Sequence, residues 1–533
     1  MVSLRHQHGQ SDETLPKEGT NEQYHPQHSP DGPDPSDHDE MGKMEEGVDN
    51  NVGLSTSSTN AEAPEKDPNL VGWDGPDDPN NPQNWPRSKK WIVTMTLASM
   101  TVWITFATSV FSTATLVTAK EYGVSTEVMT LGTSLPLFGF GLGPLAFGPL
   151  SELYGRTIPL FFGYIAFVIF HIPVAVAQNV ETILISRFLL GFFGCAPLAI
   201  VGGALADFWG PIDRAVAIGL FSTATFGGPA FGPILGGFIV QSYLGWRWTA
   251  WITVIGASFF GIIALFVVPE SYAPVLHQRR AARLRLETRN WALHSSLDEY
   301  RPTFKDIAVK YLFRPIRMLF LEPILLLVTI YLSLIYGLLY LFFESYPISF
   351  QRDRGWTNEG VAGLPFLGIL FGVLCGCALL IAITKTRFAR KLREHGRVIP
   401  EERLPPMIIT SFLLPIGLFM FAWTSNPHVS WVPQVIAGVP MGAGILVIFI
   451  QGLNYIIDVY LTFANSALAA NTLMRSTVAG VFPLFAAQMF DKLGVNWAAS
   501  LLGFLSAAMI PIPILFFIYG EKIRGMSKYS PKL

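Results

Sequence analysis

The stretch Gly228-Pro229-Ala230-Phe231-Gly232-Pro233-Ile234-Leu235-Gly236-Gly237 lies inside a run from Ala215 to Val240 that holds no charged residue. In water, two prolines and four glycines in ten residues read as a loop. In a segment long enough to cross a bilayer they read as a helix built to pack closely and to bend at a set point. Small residues let helix backbones approach, and neighbouring helices re-satisfy the backbone groups that proline frees.

Apolar runs of bilayer length, about 20 residues each, recur on both sides of this one. The spacing predicts spans over Trp91–Val117, Val128–Leu150, Ile158–Ala177, Ile183–Ala206, Ala215–Val240 and Trp248–Val268. After a polar gap come Pro323–Phe343, Gly360–Ile383, Met407–Trp423, Val432–Ile457, Ala464–Phe490 and Trp497–Tyr519. The expected fold is all-α and membrane-embedded, twelve helices in two six-helix pseudo-repeats around one midplane site. The domain reading is an acidic, disordered tail at 1–90, bundles at 91–268 and 319–519, a basic central loop at 269–318 and a short tail at 520–533.

Charge is segregated. Only 14% of the 533 residues are charged, against roughly 25% in ordinary globular chains. Nearly half of the acids precede Trp91, in a segment too polar to offset its ordering entropy. The last part of that segment, Trp73 to Trp85, carries aromatic anchors suited to a membrane surface. The N-terminus lacks the apolar core of a signal peptide. Ten Lys and Arg lie between Arg279 and Arg317, and seven more between Lys385 and Arg403, while Lys522, Arg524, Lys528 and Lys532 close the chain. The other side holds Lys120, Arg247, Arg352, Arg354 and Lys492. The positive-inside rule then puts both termini and the central loop in the cytosol. The basic loop reads as a solvated face near anionic lipid, not as a nucleic-acid surface. Cys195, Cys375 and Cys377 all fall in spans, and their spacing suits neither a disulfide framework nor zinc.

Several polar residues stand out against the apolar background. Gly148-Pro149-Leu150-Ser151-Glu152-Leu153-Tyr154-Gly155-Arg156 joins spans two and three. Its glycines permit a tight turn. Glu152 is suited to a helix N-terminus, that of span eleven, through the helix dipole. Arg156 is placed to pair with Asp207 at the end of span four. This loop reads either as a conformational latch or as a plain turn with surface charges. Arg187, inside span four, reads as an interior functional cation or as an arginine snorkelling to the membrane edge. Tyr336, Tyr340 and Glu344, four residues apart, share one face of span seven. They suit either a site for aromatic or cationic ligands with a proton-carrying acid, or an interfacial belt. Gln451, Asn454 and Asp458 line one side of span ten, and Asn471 and Arg475 one face of span eleven. A carboxylate partner would make burial of Arg475 tolerable, and Asp458 fits a structural salt bridge as well as a translocation role. His171 reads as a packing residue. Span one carries no acid, so any proton carrier lies elsewhere.

The ten-residue stretch in span five resembles the fifth-helix antiporter motif of major facilitator drug exporters, with Gly228, Pro229, Gly232, Pro233, Gly236 and Gly237 as its residues. The Gly148–Arg156 loop resembles the superfamily's signature loop, with Leu153 and Thr157 where further basic residues usually stand. Asn81-Pro82-Gln83-Asn84-Trp85-Pro86, Pro269-Glu270-Ser271-Tyr272-Ala273-Pro274, Asn454-Tyr455-Ile456-Ile457-Asp458 and Ala467-Leu468-Ala469-Ala470-Asn471-Thr472 extend the similarity to the fungal drug:proton antiporter family with twelve spans. The resemblance covers about Pro79 to Lys528.

It implies alternating access, with span five sealing against span eight, and export of small amphipathic molecules driven by a proton gradient rather than a bound cofactor. It also implies a monomer in the plasma membrane, with the vacuolar membrane as the second location. Arg187 matches the superfamily's span-four arginine, implicated in proton coupling. Polyamine export is the alternative within the class, and a transporter-like sensor the alternative outside it. No phosphate-binding loop and no metal or nucleophile cluster suggests an enzyme.

Overall fold

The computed structural model describes residues 67–299 and 309–530, apart from the side chain of Thr462. The expected tail up to residue 66, Arg301, Lys305 and Lys532 lie outside the described residues. The described chain is helical except for turns and one isolated bridge between Leu70 and His294.

The first six spans are helices Arg87–Val110, Thr126–Leu153, Thr157–Ala175, Val180–Phe208, Pro211–Gln241 and Arg247–Val267. Spans seven to ten are Pro323–Pro347, Phe366–Ile383 with its leading turn Glu359–Gly363, Leu404–Trp423, and Gly438–Tyr460. By length and apolarity eleven helices among the described residues can cross a membrane, and the last, Ala464–Met526, runs for 63 residues. A straight helix of that length would reach about 95 Å, roughly three times the apolar thickness of a bilayer. Gly494 resolves the excess. Its φ of 71° and ψ of 162° break the helix, so spans eleven and twelve lie on either side of it and the total is twelve. Span one stops short of the expected Val117: a turn at Phe111–Ala114 leads to a separate helix, Thr115–Tyr122. The expected run Trp497–Tyr519 is interrupted near Met509, before Pro511.

The helices pair in a repeating scheme. Span two packs on four, one on five and three on four; eight packs on ten, seven on eleven and nine on ten. Spans two and eleven, and five and eight, join the halves. Spans seven and ten run through the interior. In span seven 83% of the most apolar stretch is buried, against 28% in span six. The outer helices turn Phe162, Phe259, Phe371 and Phe504 outward, as lipid-facing surfaces do.

Residues 67–90, expected to be disordered, are ordered. Backbone bonds join Val71 N–H to His294 O at 2.8 Å and His294 N–H to Asn69 O at 3.0 Å. Arg280, on the central-loop helix Ala273–Thr288, holds Asp74 and, at 3.0 Å, Asp78. Trp73 sits edge-on to His277, 4.4 Å between ring centres. The anchor of this segment is therefore the central loop. His294 Nε2 reaches Glu299 at 2.6 Å and Asp67 at 3.5 Å, a surface ion-pair cluster.

Candidate functional site

The turn between spans two and three is set by Gly155, whose φ of +87° only glycine adopts freely. A Cβ there would meet the Glu270 carboxylate, with Oε2 2.5 Å away. Glu270 accepts from the backbone N–H groups of Arg156 at 2.9 Å and Thr157 at 3.1 Å, and from the Thr157 hydroxyl at 2.8 Å. These are orphan donors at the start of span three. Burial pushes the Glu270 carboxyl up, but these bonds and the one from the Tyr272 N–H outweigh it, so its pKa lies below the ordinary glutamate value. Arg156 donates to Asp207 at 3.0 Å and 3.4 Å and to Ser151 at 3.0 Å, with its guanidinium over the Tyr272 ring.

Gly148, still within span two, meets nothing within 4 Å of an added Cβ. Glu152 crosses to the second half. It accepts from Asn465 Nδ2 at 2.5 Å, on the first turn of span eleven, and meets the Tyr311 hydroxyl and Lys310 Nζ. So Glu152 does lie at that helix start, with the Asn465 amide as its donor there.

Three of the four motif glycines of span five face span one. A Cβ at Gly228 would strike Thr105 Oγ1 and come within 2.7 Å of Val102 O; one at Gly232 would strike Ser109 Oγ and reach Val110 N at 2.8 Å; one at Gly236 would reach Thr113 Oγ1 at 2.5 Å. The hydroxyls of Thr105, Ser109 and Thr113 bond to carbonyls three or four residues back along their own segment, which removes their demand for partners in the seam. Only Gly237 meets the leading turn of span eight, 2.6 Å from Glu359 O. Span five does pack on span eight, through Gly227 on Leu370 and Gly219 on Leu380 as well as through Gly237, while the other motif glycines serve span one. Pro233 takes part through its carbonyl, 2.6 Å from the Cβ position of Gly363. Pro229 and Pro233 stay within a continuous helix.

Arg187 does not snorkel. It is 2% exposed and donates to Gly132 O at 2.6 Å, Ala107 O at 2.8 Å and Thr108 O at 3.3 Å. Each acceptor is free for a reason. Pro136, four residues after Gly132, has no N–H to offer, and Ala107 and Thr108 lie in the last turn of span one.

Thr108 links the halves, its hydroxyl 3.0 Å from the Tyr340 hydroxyl. Tyr340 is 3.5 Å from Tyr336 by their oxygens. The Arg475 guanidinium lies 5.0 Å from the Tyr336 ring and 4.7 Å from Phe449, which packs on Phe226 of span five. No carboxylate pairs with Arg475 among the described residues. Aromatic faces take the place of the expected acid, because the nearest acid of span ten, Asp458, is held elsewhere. Asp458 accepts from Arg403 Nε at 2.7 Å, with both side chains almost fully buried. It is therefore a salt-bridge residue at the central-loop end of span ten. Asn454 donates to Gln451 at 3.3 Å, and Asn471 to Thr329 at 3.1 Å. Glu344, half-buried on span seven, has no hydrogen-bond or ion-pair partner among the described residues. His171 is buried, bonded through Nδ1 to Phe167 O at 2.9 Å.

Sequence reading missed Thr108, Phe449, Glu270 and Arg403. The periodic hydroxyls of span one were the available signal for Thr108. The others depend on which helices meet.

Residues 95–483 match the Major Facilitator Superfamily model. The chain is 61% identical over 499 residues to a citrinin biosynthesis cluster MFS transporter of Monascus ruber, covering 92% of this chain and 100% of the relative. It is 55% identical over 516 residues to an ascochitine biosynthesis cluster MFS transporter of Didymella fabae, covering 95% and 100%. Its fold matches the human organic anion transporter MFSD10 at a TM-score of 0.53 and 14% identity, covering 80% of this chain and 100% of that one. With its twelve paired spans and these matches, the chain belongs to the Major Facilitator Superfamily of membrane transporters.

Proposed function

We propose that this transporter exports small amphipathic organic molecules, secondary metabolites in particular, by alternating access coupled to protons. The observation that carries the reading is the aromatic and polar cluster of Tyr336, Tyr340, Phe449 and Arg475, bonded to Thr108 where the two halves meet. Flat rings with a few polar groups bind amphipathic cargo without demanding one shape. The relatives named for citrinin and ascochitine clusters support a metabolite as that cargo.

The latch of Glu152 with Asn465 and the pair of Arg156 with Asp207 hold the central-loop face closed, and opening that face breaks the first of these. The charge bias places it in the cytosol. Glu344, the unpartnered acid of the interior helices, takes the proton. A proton moving through 100 mV supplies about 2.3 kcal/mol, and no bound cofactor is required. The single chain holds both repeats, so a monomer suffices, and the plasma membrane is its expected site. Polyamine export fits less well, because the described interior offers two arginines and one acid to a polycation.

The test is transport by the reconstituted protein in vesicles with an imposed pH gradient, using aromatic and polycationic cargo. Gradient-driven movement of the aromatic cargo, lost in Glu344→Gln, is the expected result. Equal rates with and without the gradient would remove proton coupling, and movement of neither cargo would remove the export reading.

A further inference from the structure

Two arginines lie in the interior, and their surroundings differ. Arg187 is satisfied by three backbone carbonyls that helix geometry leaves free. Arg475 has one side-chain bond, a long one of 3.4 Å from Nη2 to Thr472 on its own helix. Its Nε is buried and meets no acceptor. A guanidinium carries five N–H donors in a planar fork, and burying a cation without a counter-charge is costly. The two rings beside it cover its faces but accept few hydrogen bonds. The acids on neighbouring helices are spoken for or remote. Asp458 is held by Arg403, and Glu344 lies eight residues along span seven from Tyr336, about 12 Å of helix rise.

On the strength of the export reading, we propose that the cargo is an organic acid, ionised at neutral pH, whose carboxylate is taken by Arg475 while its flat apolar body lies on Tyr336 and Phe449. The carboxylate supplies the charge and the acceptors that the protein withholds, and the fork of Arg475 matches it with two parallel bonds. Tyr336 and Phe449 come from spans seven and ten, and Phe226 of span five packs behind Phe449. A bound acid thereby bears on contacts between the halves, which is where a cargo must act to favour one orientation over the other. A cytosol negative relative to the outside also drives an anion outward.

The purified full chain is tested with two flat probes of similar size, naphthalene carboxylate and N-methylquinolinium, by thermal stabilisation in detergent and by transport in vesicles. The carboxylate is expected to stabilise the wild type and the cation not. Arg475→Gln is expected to weaken carboxylate binding by roughly tenfold or more, and Arg475→Lys to restore part of it. Thr477→Ala, on the same helix with an exposed hydroxyl bonded to Leu473 O, controls for general damage and is expected to bind as the wild type. Equal stabilisation by both probes, no stabilisation of the wild type by the carboxylate, or unchanged carboxylate binding in Arg475→Gln would each overturn the proposal. Arg475-dependent binding without transport would support the acid site and sink the export reading. Transport of the cation, indifferent to Arg475, would do the reverse.

Discussion

Spans one and five in the first half, and seven and eleven in the second, occupy equivalent places in the repeat, yet their seams are built from different chemistry. In the first, Gly228, Gly232 and Gly236 press against Thr105, Ser109 and Thr113, whose hydroxyls turn back onto their own segment. Backbone meets backbone, and there is no room for cargo. In the second, Asn471 reaches Thr329, Arg475 faces Tyr336, and Gly337 meets the Phe482 ring. The side chains there are polar and aromatic. One half supplies a stiff wall and the other a chemically varied surface, which is how a pseudo-symmetric molecule can bind an asymmetric cargo at its midline.

The central-loop corners differ as well. Arg156 and Asp207 are each 16% exposed, and Asp207 keeps a second donor, Ser271 Oγ at 3.1 Å. Arg403 and Asp458 are 5% and 6% exposed, and Asp458 has no other hydrogen bond among the described residues. The largest expected effect follows from this contrast. Arg403→Ala removes the hydrogen-bonded partner of a buried carboxylate, leaving only the nearby charge of Arg214, and should lower stability by about 3–5 kcal/mol. Arg156→Ala should cost about 1–3 kcal/mol, because Asp207 retains Ser271. Chemical or thermal unfolding of the two variants in detergent checks the order, and a reversal would show that the corners are not related as drawn.

The seams give the next contrast. Gly232→Ala forces a methyl onto Ser109 and the Val110 backbone and should destabilise by about 1–3 kcal/mol. Gly337→Ala meets the Phe482 side chain and no backbone, and should cost less than Gly232→Ala. Pairing Gly232→Ala with Ser109→Gly should recover part of the loss. Equal costs at both glycines would show that the first seam is no stiffer than the second.

The smallest effect is a pH dependence at the first corner. The Glu270 carboxyl is depressed in the folded state, so its stabilisation is present above the ordinary glutamate value and is lost as pH falls through the folded one. As pH falls from above the ordinary glutamate value through the lower folded one, the wild type should lose more stability than Glu270→Gln, which has no such charge to lose. Parallel slopes for the two proteins would mean that the Glu270 bonds contribute nothing to holding that corner.

Much of this was legible from residue order. Apolar runs of bilayer length predict spans because lipid leaves a backbone no other partner. The approach of Arg156 to Asp207 follows from both standing at the same ends of adjacent helices. The partner of Arg475 was not legible, since an acid in span ten is near it in sequence pattern but faces Arg403 in space. The direction of the span-five glycines was not legible either. Small residues announce a close approach and say nothing about which helix makes it.

Hydropathy along the chain was enough to predict the twelve crossings, and charge bias the expected orientation, because each depends on how a local segment partitions between lipid and water. Contacts between segments far apart in the chain depend on helix rotation and on which of several compatible faces pack. The glycine wall, the sharing of Arg187 among three freed carbonyls and the exposure of Arg475 to aromatic faces belong to that second class. They emerged only from the packed bundle.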